Sequence, residues 1–198
     1  MARGVEAQDS LVNKGTGYNR GVEITLEKFL TRGYYYLLTV SKFESKYKGS
    51  DNIERYTAFS GTYVVNALIG KEFFINSRST LNFDIKIGCA GGKRLVPIDL
   101  EKSKAKNDAV YDYNRAYETQ ASDFFKADFK VGYRLNGKRS TQEWQIYVEN
   151  ITNHKNVLAQ EFNKVKSSEK PEDIAKHEYL SYQYQLGLFP MMLWRINF

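Results

Sequence analysis

Period-two alternation recurs along most of this chain and leaves little choice of secondary structure. Val22, Ile24 and Leu26 stand opposite Glu23, Thr25 and Glu27. Leu81, Phe83, Ile85, Ile87 and Cys89 stand opposite Asn82, Asp84, Lys86 and Gly88. Phe125, Ala127, Phe129, Val131, Tyr133 and Leu135 stand opposite Lys126, Asp128, Lys130, Gly132 and Arg134. Residues 35–40, 59–70 and 143–149 repeat the pattern, and a last stretch runs from about Tyr182 to Phe198. In that stretch Met192, Trp194, Ile196 and Phe198 share one parity. A strand sends successive side chains to opposite faces, whereas a helix scatters such a pattern around its axis. Seven segments therefore read as strands, each with one apolar and one polar face.

The connections between them take turns in length. Residues 30–33, 75–79 and 136–139 are short, and Asn136-Gly137 is a hairpin dipeptide because both residues tolerate positive φ. Residues 49–56, 92–121 and 163–178 are longer and polar. Ser167-Ser168-Glu169 and Pro171–Ile174 offer a short helix start in the last of these. Short and long connections in turn are what an up-and-down barrel gives when tight turns lie on one side and large loops on the other.

Composition agrees with a β-rich chain: fifteen Tyr, twelve Phe and two Trp against three Pro in 198 residues. No stretch comes near the ~18 apolar residues of a membrane-spanning helix, but a barrel strand needs only about 9–11 with one apolar face. Glu23, Glu27, Asp84, Lys86, Asp128, Lys130 and Arg134 put many charges on the polar faces. That is too many for a small dry interior and suits a wide, wetted lumen with the apolar faces outward. Aromatic residues gather at strand ends, among them Tyr34, Phe73, Phe124, Trp194 and Phe198, as interfacial girdles do. The expected fold is an all-β, up-and-down antiparallel transmembrane β-barrel segment of seven strands, or eight if residues 5–12 form one. The alternatives are a complete small eight-stranded outer-membrane barrel with a structural or adhesive role, and a soluble lipocalin-like binding barrel with its apolar face inward.

Candidate chemistry is sparse. Cys89 is the one cysteine, so no intrachain disulfide or cysteine metal cluster forms. The net charge of +6 is spread among acids and turns and reads as a solvated surface, not a nucleic-acid interface. His154 and His177 have no partner at ligand spacing and read as solvated loop residues, and Gly91-Gly92-Lys93 lacks the rest of a phosphate loop. No nucleophile with its base is visible, so no catalytic residue, metal site or cofactor is expected. The tyrosine-rich loop at residues 108–117 is the candidate binding surface. Tyr111, Tyr113 and Tyr117 supply rigid amphipathic contacts, and Arg115 can reach a carboxylate or phosphate. The alternative for these tyrosines is packing of the loop on itself or on the barrel rim.

Five stretches resemble the C-terminal part of the TonB-dependent outer-membrane receptors, most closely the Bacteroidota type that carries a carboxypeptidase-regulatory-like domain. Residues 11–23, ending Tyr18-Asn-Arg-Gly-Val-Glu23, are similar to a family loop and descending strand. Residues 43–49 and 91–99 resemble recurring loop-proximal segments, and Val148-Glu-Asn-Ile-Thr-Asn153 resembles the Asn-Leu-Thr-Asn element near the barrel's end. Gly187-Leu-Phe-Pro190 with Trp194–Phe198 resembles the final strand. The resemblance implies a portion of a receptor for TonB-dependent uptake, held in the outer membrane and not catalytic. It implies membrane lipid and the β-barrel assembly machinery as partners, with Trp194, Ile196 and Phe198 as the assembly signal. It implies a small-molecule, glycan or peptide substrate, and contact with the TonB complex only through a plug domain. The family barrel has ~22 strands, so the chain is expected to be a fragment of one, with neither plug nor signal peptide in its own sequence.

Overall fold

The computed structural model describes residues 14–166, 168 and 176–198. The strand expected at residues 5–12, and all of the expected helix start except Ser168, lie outside the described residues.

Seven long strands form one antiparallel up-and-down sheet: β1 (Thr16–Thr31), β2 (Tyr34–Lys48), β4 (Tyr63–Phe74), β5 (Ser79–Ala90), β8 (Phe124–Asn136), β9 (Thr141–Glu149) and β12 (Phe189–Asn197). Shorter elements occupy the long connections. β3 (Glu54–Tyr56) pairs with β2, β6 (Arg94–Leu95) with β7 (Thr119–Gln120), and β10 (Val157–Phe162) with β11 (Leu180–Tyr184). The sheet is not closed: β1 and β12 each keep one unpaired edge among the described residues.

Register carries the alternation across the sheet. Ile69, Ile85, Phe129, Val148 and Pro190 face one another strand to strand, and so do Phe83, Val131, Ile146 and Met192. This face is uncovered, with Val22 69% and Met192 75% exposed. The other face buries its polar groups, Asp84 at 5% and Asp128 at 3% exposure. Among the described residues, the buried hydrophobic side chains are only Ile98 and Ala116, both in the β5–β8 connection. A water-soluble domain distributes its residues the other way round.

The sheltered face is knit by charge. Asp84 pairs with Lys130 at 2.6 Å, its register partner on β8, and accepts hydrogen bonds from Asn82 and from the Tyr35 hydroxyl. Gly70 lies between Tyr35 and Asp84, and a Cβ there would stand 2.2 Å from the Tyr35 ring, so only glycine lets the tyrosine cross to the carboxylate. Asp128 accepts from the Tyr147 hydroxyl and the Asn150 N–H, both at 2.9 Å. Lys126 meets Glu149 at 2.6 Å, and Glu143 holds both Arg134 and Arg195. These pairs sit directly or diagonally across strands, where opposite charges attract most.

Four expectations need correction. Phe59 is not in a strand, because Gly61 and Thr62, at φ +74°, turn the chain just before β4. The last alternating stretch is two strands: Tyr182 belongs to β11, which pairs with β10 and not with the sheet, and the chain re-enters at Phe189. Gly187 allows that break, since a Cβ there would stand 2.3 Å from Asn153 Oδ1. The last long connection accordingly runs from residue 150 to 188 and carries the β10–β11 hairpin. At Asn136-Gly137 the hairpin forms without positive φ at either residue. Asn136 still pairs with Thr141, and the Gly137 N–H donates to Ser140 O at 2.8 Å, so four residues make the turn. The two-residue geometry appears instead at Arg32-Gly33, with φ of 53° and 78°.

Candidate ligand-binding loop cluster

Strand direction sends residues 49–62, 91–123 and the described residues of the last connection, 150–166, 168 and 176–188, to one end of the sheet and the three tight turns to the other. The loops are fastened to each other. Arg94, 7% exposed, donates to Ser60 O at 2.7 Å and to Tyr117 O at 3.1 Å, with its guanidinium 3.5 Å from the Tyr56 ring centre. Asn107 exchanges two 2.8 Å hydrogen bonds with the backbone N–H and C=O of Val165. Asn156 does the same with Phe125, also at 2.8 Å twice, as a neighbouring strand would. Arg55 donates to Asn114 O at 3.1 Å and Lys93 to Leu158 O at 3.3 Å. Asp123 accepts from the Tyr63 hydroxyl and from Gly92 N–H, which ties the 91–123 loop back to its strands.

Within that loop, helix α1 (Leu100–Lys106) starts at Asp99, whose side chain accepts from Lys102 N–H at 3.1 Å. The Lys102 ammonium, 2.7 Å away, holds the Asp99 carboxyl below its usual range. The helix ends at Asn107 in the left-handed conformation, where its N–H satisfies the last carbonyls.

The structure gathers three of the four candidate ligand-contacting residues. Tyr111, Tyr113 and Tyr117 line a cleft of about 330 Å³ with Lys93, Arg94 and Gln160. The Tyr111 and Tyr113 rings lie 6.3 Å apart, and Tyr113 is 72% exposed. Arg115 does not line this cleft, and its guanidinium is spent on Glu118 at 2.6 Å. Glu118 is held below the ordinary carboxylate range by that contact. Tyr117 sits at φ +62°, and its neighbour Ala116 is buried. Trp194 and Ile196 lie on the uncovered face of β12, and Phe198 follows it fully exposed.

Neither histidine is a plain solvated loop residue. His154 is half-buried edge-on against Phe125, with rings 5.8 Å apart, and His177 packs on Tyr179 at 4.8 Å with Nε2 3.1 Å from Asn163 O. Among the described residues no three His, Cys, Asp or Glu side chains are grouped to hold a metal ion. Nor, among the described residues, is any helix long and apolar enough to cross a membrane.

Sequence reasoning missed Arg94, Asn107 and Asn156, the side chains that set the loop geometry. Each acts on backbone atoms far along the chain, and a single residue of that kind leaves no periodic trace. Arg94→Ala is expected to cost about 1.5–3 kcal/mol, the range for charged hydrogen bonds. Protease cleavage within residues 100–118 should rise several-fold. Arg94→Lys should not restore protection, since an ammonium cannot lie flat on Tyr56 while reaching both carbonyls.

No family model matches the chain, and no curated protein or solved structure matches it either.

Proposed function

We propose that the chain supplies neighbouring strands of a larger outer-membrane barrel, a receptor for TonB-dependent uptake whose work is binding and transport, not catalysis. The inverted sheet carries this reading. Its apolar face is uncovered while its other face buries carboxylates. Apolar area left in water costs about 25 cal/mol per Å², and lipid removes that cost.

The dimensions agree with a bilayer. The apolar rungs from Leu81 to Cys89 on β5 cover about 27 Å at ~3.4 Å per residue. From Phe125 to Leu135 on β8 they cover about 34 Å. At a strand tilt of about 40° these become roughly 21 and 26 Å, against about 25 Å for the apolar band of a membrane barrel. Aromatic rings gather at the tight-turn edge of that face: Tyr133 stacks on Trp144 at 5.9 Å, and Trp194 is the register partner of Trp144. The unpaired edges of β1 and β12 favour a barrel with further strands over closure by these seven. The apolar-inward arrangement of a soluble binding barrel finds no support in the exposures. The TonB-dependent type rests on the sequence resemblance alone. In this reading the loop cluster meets the substrate, the tight turns face the periplasm, and Trp194, Ile196 and Phe198 serve recognition by the assembly machinery.

The test is the size and location of the native product. An antibody to residues 100–120 should detect, in the outer membranes of source cells, a band several times larger than 22.9 kDa. A band in the aqueous fraction would overturn the reading. A membrane band at the chain's own size would replace the large receptor with a small complete barrel.

A further inference from the structure

On the sheltered face Arg134 and Arg195 pair with acids near the tight turns, but the cations of the turns themselves differ from those of the loops. At the loop end cations and acids meet: Arg55 with Asp51, Lys102 with Asp99, Arg115 with Glu118 and Lys164 with Asp108. At the other end, Arg32, Arg78, Lys138 and Arg139 occupy the three tight turns, exposed, and no acid stands in those turns. None of the four has a carboxylate at ion-pair distance among the described residues; nor do Lys28 and Lys71, the nearest strand lysines.

Lys28 and Lys71 stand on the uncovered apolar face itself. Lys28 pairs in register with Tyr36, and Lys71 lies between Tyr34 and Phe83. Both ammonium groups converge on Tyr34. Lys28 Nζ is 3.7 Å from its ring centre and 2.5 Å from its hydroxyl, and Lys71 Nζ is 5.4 Å from the same ring. Lys71 also donates to Arg32 O at 3.4 Å and lies 5.7 Å from the Phe73 ring. Aromatic faces hold the two lysines among the last rungs of the apolar face, Lys71 one rung inside Phe73 and Leu81, and leave them, among the described residues, without a carboxylate partner, so the cations remain available to an anion from outside.

We propose that this basic and aromatic collar binds the headgroups of anionic phospholipids in the leaflet nearest the tight turns. The proposal rests on the membrane reading above. Its occupant follows from the juxtaposition of apolar rungs for acyl chains, a tyrosine at the boundary and unneutralised cations beyond it. A soluble anion would need no apolar face beside it. Each cation near an anionic leaflet strengthens association about fivefold.

The experiment is flotation of the full chain with phosphatidylcholine vesicles and with vesicles of phosphatidylcholine mixed with phosphatidylglycerol. Binding to both is expected, with the mixed vesicles favoured about tenfold or more and the preference fading as salt rises. Lys28→Gln/Arg32→Gln/Lys71→Gln should remove most of the preference. Arg78→Gln/Lys138→Gln/Arg139→Gln, confined to exposed turn side chains that the fold does not need, should remove part of it. Lys102→Gln/Lys106→Gln in α1, at the other end, should leave it. Equal binding of the unaltered chain to both vesicle types overturns the collar and leaves the membrane reading standing. Equal loss from the turn variants and the α1 variant also overturns it. Failure to float with either vesicle overturns both.

Discussion

Ile85→Arg is expected to disrupt membrane assembly of the proposed full barrel, while Lys86→Gln leaves assembly nearly unchanged. The two positions are adjacent in β5 and differ only in the face they occupy. Ile85 lies midway along the apolar rungs, between Ile69 on β4 and Phe129 on β8, and is exposed. In the proposed membrane setting a cation there faces lipid near the midplane, at a cost of about 2–4 kcal/mol. Lys86 faces the other way, in register with Leu68 and Asp128. Losing its charge removes little, because Asp128 already accepts from Tyr147 and Asn150 and lies 3.6 Å from Lys126. Protease-protected assembly of the full barrel into membranes measures both variants. Equal losses would show that the faces are assigned the wrong way round.

Asp84→Ala should destabilise the sheet by about 3 kcal/mol. The substitution leaves Lys130 without its counter-charge and Tyr35 and Asn82 without their acceptor. The figure is toward the low end for a buried pair because the Lys130 side chain keeps 30% of its surface accessible. Urea unfolding in detergent micelles would read it. Adding Lys130→Met should recover more than half of the loss, since removing both partners costs less than orphaning one. A single-variant cost under about 1 kcal/mol would mean that water already solvates this face.

Alternation located the seven long strands, and it did so best where it was strictest. β5 and β8 keep one parity for their whole length because one face must be apolar and the other must carry the ion pairs. The misses have physical causes. Phe59 has the right parity but is followed by Gly61 and a left-handed Thr62, and parity does not register a turn. Tyr182 and Trp194 share a parity, yet the chain breaks at Gly187 and gives the first to a hairpin with β10. β10 itself spans only six residues, Val157–Phe162, and they do not alternate, so nothing in the pattern marked it as a strand. In the loops the tyrosines were visible as a cluster, whereas the loss of Arg115 to Glu118 and the staples through Arg94, Asn107 and Asn156 depend on three-dimensional proximity.

The partners of those staples have a further consequence. Arg94, Asn107, Asn156, Arg55 and Lys93 all end on main-chain atoms: of Ser60 and Tyr117, Val165, Phe125, Asn114 and Leu158 respectively. A carbonyl is present whatever residue carries it, and an amide N–H is present in every residue but proline. The side chains at 114, 117, 158 and 165 can therefore change without unfastening the frame. If the chain serves in the receptor proposed above, its specificity can drift at the exposed loop positions with the few residues that hold the loops in place left as they are.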